Sequence, residues 1–265
     1  MNDDINFQKI KKHLKTIFNK SINDTWKFCF KDIDKLNNRS NGKTSIYHKS
    51  IENGMQHVLS SMITGFDKKY TICTESNGIR LPIVDSSGEN HAVDGCIFDE
   101  TNNPVIVISA KFPMMCINKN RNNLYEVKNG FVNRITGNTN NGVKGILFVD
   151  FVPNITLTTV SGSYIVENVN YKNLNSNSDS VYEITIKYDM NLDLSKIKTR
   201  KDLVKEIKKN DNIATVTEIT GVEEFILNFE KIVSRQNSVA DLKKQVAELS
   251  TMLKKISYIL DNMLK

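Results

Sequence analysis

Residues 92–126 read AVDGCIFDETNNPVIVISAKFPMMCINKNRNNLYE, and the pattern changes twice within them. Ala92–Phe98 and Val105–Phe112 are short apolar runs with strand character. The stretch between them, DETNNP at 99–104, is polar and rich in turn formers, which predicts a hairpin. Residues 117–135 then take up helical spacing, with Leu124, Val127, Phe131 and Ile135 on one face and Lys128 at the surface. Folding the chain about the middle of the 99–104 loop sets Asp94 across from about Ser109. Side chains alternate across a strand, so Ser109 and Lys111 share a face. An Asp, a Ser and a Lys are therefore expected at one sheet edge. An Asp is unfavourable inside a strand, which favours a functional reason for it.

That group has a chemistry. A carboxylate and a backbone carbonyl are hard oxygen ligands suited to Mg²⁺. Such a metal polarises a phosphate and lowers the pKa of a bound water. A lysine beside it can orient that water and offset charge in the transition state. Downstream, Lys119, Asn120, Arg121, Asn122 and Asn123 combine cations for phosphate with amides and a guanidinium for base edges, so they are candidate DNA contacts.

Outward from this stretch the chain reads as α/β. Residues 4–35 are expected to form one or two helices, and 44–65 another, weakened in its middle by Gly54. Strands are expected at 70–74 and 79–84 ahead of the hairpin. Gly142–Val152, GVKGILFVDFV, is apolar enough for a strand buried on both faces. Further strands are expected over 155–168 and 181–190, and helices over 199–209 and 221–234. Trp26 and the cysteines read as core residues, and His91 as a surface residue.

The end of the chain is the most regular part. Val239, Leu242, Val246, Leu249, Leu253, Ile256, Leu260 and Met263 alternate spacings of three and four, as in a coiled-coil seam. This divides the chain into a domain over 1–235 and a dimerising helix over 236–265. The alternative for the helix is packing on its own domain.

With 265 residues, 39% of them hydrophobic, the chain can bury a core without disulfides. No apolar run approaches a membrane span and the N-terminus lacks a signal-peptide h-region. Cys29, Cys73, Cys96 and Cys116 are widely spaced, which fits a reducing compartment, and a cytoplasmic location is expected. The formal charge of +6 permits a nucleic-acid partner without requiring one.

Asp94-Gly95, the hairpin and the apolar VIVIS-Ala-Lys111 run resemble the PD-(D/E)xK nuclease superfamily, and in particular type II restriction endonucleases with a Ser-Ala-Lys form of the motif. The similarity covers roughly residues 45–155. It implies a restriction-endonuclease-like mixed sheet flanked by helices. It implies Mg²⁺-dependent hydrolysis of double-stranded DNA, with Asp94 on the metal and Lys111 positioning water. Two departures stand out: Val93 replaces the family's proline, and Ser109 replaces its second acidic residue. In the family a carboxylate from a helix can take that place. Glu126, 15 residues after Lys111, and Glu52 on the preceding helix match such positions, with Ser109 in support. The resemblance also implies a homodimer, held here through Val239–Met263, on a two-fold site, and a DNA methyltransferase in the same genome. The alternatives are a repair or mobile-element nuclease, and an inactive coiled-coil DNA-binding protein.

Overall fold

A computed structural model describes residues 7–31, 54, 70–74, 82–84, 86–137, 142–171, 180–229 and 231. The expected 44–65 helix apart from Gly54, and with it Glu52, lies outside them, as do the Val239–Met263 heptads. The chain divides into two compact units, Met1–Phe225 and Ile226–Lys265. The sheet, its covering helices and the candidate site all belong to the first unit.

The protein is α/β. Helix α1 (Phe7–Lys31) is followed by β1 (Thr71–Thr74), β2 (Pro82–Val84), β3 (Asn90–Ala92), β4 (Gly95–Phe98) and β5 (Pro104–Lys111). Then come α2 (Ile117–Thr136), β6 (Gly145–Pro153), β7 (Ile155–Val160), β8 (Ser163–Asn168) and β9 (Val181–Met190). Helix α3 (Arg200–Lys209) and β10 (Ala214–Thr220) follow, and residues 222–229 are again helical, within the stretch where a helix is expected. The main sheet runs β1-β4-β5-β6-β9-β10, with β2-β3 and β7-β8 as separate two-stranded ribbons. β1, β4 and β5 form an antiparallel meander. α2 then carries the chain over to β6, which lies parallel to β5, and β9 is parallel to β6. A parallel neighbour requires such a crossover.

Alternation along the strands fixes which residues meet which helix. Phe148 packs edge-on against Phe131 of α2, with ring centroids 5.8 Å apart. Phe151, three residues on and so on the other face, meets Phe18 of α1 at 5.2 Å. The Trp26 indole N–H donates to the Tyr188 hydroxyl at 3.3 Å, which fixes α1 on that second face. With helices on both sides, all nine residues of β6 are buried, as its continuous apolar run predicts.

Three expectations need correction. Ala92–Phe98 is not one strand: it breaks at Val93–Asp94, and Asp94 sits on a bend just ahead of β4. The break frees the Asp94 carboxylate to take a backbone N–H, which a ladder position would not offer it. Val127 is not on the packed face of α2 but 44% exposed, and Lys128, expected at the surface, is buried in its place. The stripe is Leu124, Lys128, Phe131, Ile135, a spacing of four, three and four. Of the cysteines only Cys96 is fully buried.

Gly54 also has a packing role. A Cβ there would stand 2.3 Å from Ser21 Oγ, so glycine lets this helical residue approach α1 closely.

Candidate active site

The hairpin sets the geometry. Gly95 pairs with Ile108 in the β4–β5 ladder, and one step further along that register Asp94 stands beside Ser109. Asp94 Oδ2 accepts the backbone N–H of Ala110 at 2.7 Å. The carboxylate is thus pinned between Ser109 and Lys111. It is half-buried, Ser109 is buried at the sheet face that α2 covers, and Lys111 is partly exposed at the end of β5. Phe112 turns the other way and stacks on Tyr188, with centroids 6.0 Å apart, so it anchors the strand end against the α1 face.

An ionised carboxylate carries about four lone-pair sites, and the Ala110 N–H takes one of those of Asp94. A carboxylate at a strand end is a hard oxygen donor of the kind that suits Mg²⁺, a cation that keeps several waters and phosphate oxygens in its shell. Among the described residues no three His, Cys, Asp or Glu side chains gather as a ready-made metal cage.

Glu126 is not brought to this group. It is exposed, and at 100° per residue it lies about 200° around α2 from the buried Lys128. That is the side turned away from the sheet. Lys119, Asn120, Asn122 and Asn123 are exposed on the first turns of α2, and Arg121 is partly exposed. Burial raises the Cys96 thiol, two residues from Asp94, well above its ordinary pKa, so it is no thiolate nucleophile.

A second polar group lies beside the first, and sequence reasoning missed it. Lys128, 2% exposed, bridges the carboxylates of Asp150 and Glu183. Its ammonium sits 5.1 Å from the centre of the Phe148 ring and 5.3 Å from that of Tyr171. Asp150 is the register partner of Lys111 on the neighbouring strand, so the two groups share one face of the sheet. Asp150 is fully buried and its Oδ1 has no hydrogen-bond partner among the described residues. Burial pushes its carboxyl up to about 6, against the opposing pull of Lys128. The signal for this cluster was present. An Asp inside the otherwise apolar GILFVDFVP strand demands a buried partner, and a Lys on the apolar stripe of the crossing helix supplies one.

A cavity of about 190 Å³, lined by Ile135, Thr136, Val143, Lys144, Gly145, Ile146 and Ser180, opens at the N-terminal end of β6, the end away from Asp150 and Lys111. No protein-family model, curated protein or solved structure matches this chain.

Proposed function

We propose that the protein is a Mg²⁺-dependent endonuclease that hydrolyses phosphodiester bonds of double-stranded DNA at a specific site, in the manner of type II restriction endonucleases. The observation that carries the reading is the Asp94 carboxylate held on the Ala110 N–H, one residue from Lys111. The frame agrees with the resemblance: an antiparallel hairpin, a crossover helix and a parallel strand, with the Asp entering the first strand and the Lys leaving the second.

Asp94 would hold Mg²⁺ together with backbone carbonyl oxygen, water and substrate phosphate. The bound metal supplies a polarised phosphate and a more acidic water. Lys111 would orient the attacking water toward phosphorus and offset the charge that builds on the phosphoryl oxygens. Ser109, small and buried, leaves room beside the Asp94 carboxylate. The resemblance offers Glu126 or Glu52 for the missing acid; Glu126 is turned away from Asp94, and Glu52 lies outside the described residues. Lys119 and Arg121 contact phosphate at the near end of α2. A two-fold dimer on a two-fold site, and a methyltransferase protecting the host genome, belong to the same reading.

A second reading, a DNA-binding protein without cleavage, is favoured by one observation: Ser109 stands where a second acidic residue is expected. Incubating long unmodified DNA with and without Mg²⁺ separates the readings. Discrete Mg²⁺-dependent fragments support the site-specific nuclease. A Mg²⁺-dependent smear moves the protein to the repair or mobile-element class. Binding with no cleavage favours the second reading.

A further inference from the structure

The β7–β8 ribbon leaves the main sheet directly after β6 and closes on Ser161-Gly162, both at positive φ (48° and 84°), the turn that suits a two-residue hairpin. It is tied to the start of α2. The Cys116 N–H donates to the Leu157 carbonyl at 3.0 Å. The Asn118 amide donates to the Asn168 carbonyl and accepts the Asn170 N–H, both at 2.9 Å. The Tyr164 N–H donates to the Lys198 carbonyl at 2.8 Å, and Tyr164 lies within electrostatic reach of both Arg200 and Cys116.

Two basic segments therefore adjoin the ribbon. Lys119, Lys198, Arg200 and Lys201 are exposed, Arg121 partly so, and none is ion-paired among the described residues. The carboxylate of Glu167, the ribbon's own acid, is occupied by the Thr158 hydroxyl. The ribbon's inner residues Thr156, Leu157 and Thr158 are buried, but its tip and much of its second strand are exposed. Val160, Ile165 and Val166 are 48%, 43% and 46% exposed, beside exposed Thr159, Ser161 and Ser163.

A ribbon tip of hydroxyls and methyl groups, beside two runs of cations that make no ion pair among the described residues, complements a duplex, whose grooves are bordered by phosphates. The major groove, about 12 Å wide, admits a two-stranded ribbon, and hydroxyls and apolar side chains there read base edges and the thymine methyl. We propose that the β7–β8 hairpin enters the major groove of double-stranded DNA and helps set sequence preference, with Lys119, Arg121, Lys198 and Arg200 contacting the phosphates that border it. This rests on DNA being the substrate.

The test uses the full chain, a fluorescein-labelled 30-bp mixed-sequence duplex and EDTA, so that binding is read without cleavage. Lys198→Ala/Arg200→Ala should weaken binding roughly tenfold or more and lower the log–log salt slope by about 2. Val160→Ser/Ile165→Ser, confined to exposed positions, should keep the wild-type melting temperature and salt slope but change the cleavage pattern on long DNA. A wild-type protein that binds with a slope unmoved by Lys198→Ala/Arg200→Ala overturns the hairpin inference and leaves the nuclease reading intact. Loss of self-association in the tip variant, with DNA binding and cleavage pattern unchanged, makes the ribbon an interface between copies and also overturns it. A wild type that binds no duplex overturns both.

Discussion

The Asp94 carboxylate accepts the Ala110 N–H at 2.7 Å, so its position is set by the backbone of the strand that carries Lys111. Asparagine can accept the same bond through its amide oxygen but brings no negative charge. Asp94→Asn should therefore fold with a stability loss within about 1 kcal/mol, the worth of one exchanged hydrogen bond. Its Mg²⁺-dependent cleavage should fall by at least about a hundredfold. Chemical denaturation and cleavage assays on one preparation check both.

Lys128 bridges the buried carboxylate of Asp150 and the part-buried one of Glu183. Lys128→Met leaves Asp150 and Glu183 facing each other without it, and should cost about 3–5 kcal/mol in urea unfolding. Replacing Asp150 as well, in Lys128→Met/Asp150→Asn, should recover part of that loss. Burying a neutral group is cheaper than burying an unpaired ion.

The same cluster makes stability depend on pH. The folded-state pKa of Asp150 is raised from 3.8 to about 6, so between those values the folded chain holds a proton that the unfolded chain has released. The stabilisation from that proton is fully present below about 3.8 and is lost as pH rises through about 6. Unfolding free energy measured from pH 4 to 7 should include this downward contribution in the wild type, and Asp150→Asn should remove it.

Gly221 sits at φ +82°, and a Cβ there would stand 1.9 Å from the Glu183 carbonyl oxygen. Backbone cannot yield as a flexible side chain does. Gly221→Ala should cost at least about 2 kcal/mol through strain at positive φ and the clash together. Because it displaces the strand that carries Glu183, it should also lower the melting temperature more than Gly130→Ala, where a Cβ meets nothing within 4 Å.

Much of the fold was legible because single residues fixed it. The 99–104 loop set the hairpin register within one residue, and the apolar run of β6 announced a strand buried on both faces. Helix α3 begins where Thr199 and Asp202 form a capping box, three residues apart in the sequence. What escaped had physical causes. β10 carries a bulge between Val216 and Glu218, so its buried residues fall at Ala214, Val216 and Ile219, and strict alternation fails. The charge of Lys128 points to the surface, whereas its place on the stripe with Leu124 and Phe131 decides its burial. Its partners lie on strands 22 and 55 residues further along, a distance over which local periodicity says nothing. In the candidate site, the approach of Asp94 to Ser109 and Lys111 is a matter of counting along the hairpin. The outward direction of Glu126 is not, because it depends on a helical face that is phased on Lys128 rather than Val127.

The central claim is that Asp94 and Lys111 form one catalytic group for phosphodiester hydrolysis. The most direct measurement is single-turnover cleavage of long unmodified DNA in Mg²⁺ by wild type and Lys111→Ala, with duplex binding measured on the same samples in EDTA. Cleavage by the wild type, reduced at least about a thousandfold in Lys111→Ala with binding held within about threefold, is the predicted result. Equal cleavage by both proteins would contradict the claim, as would a wild type that binds the duplex and leaves it uncut.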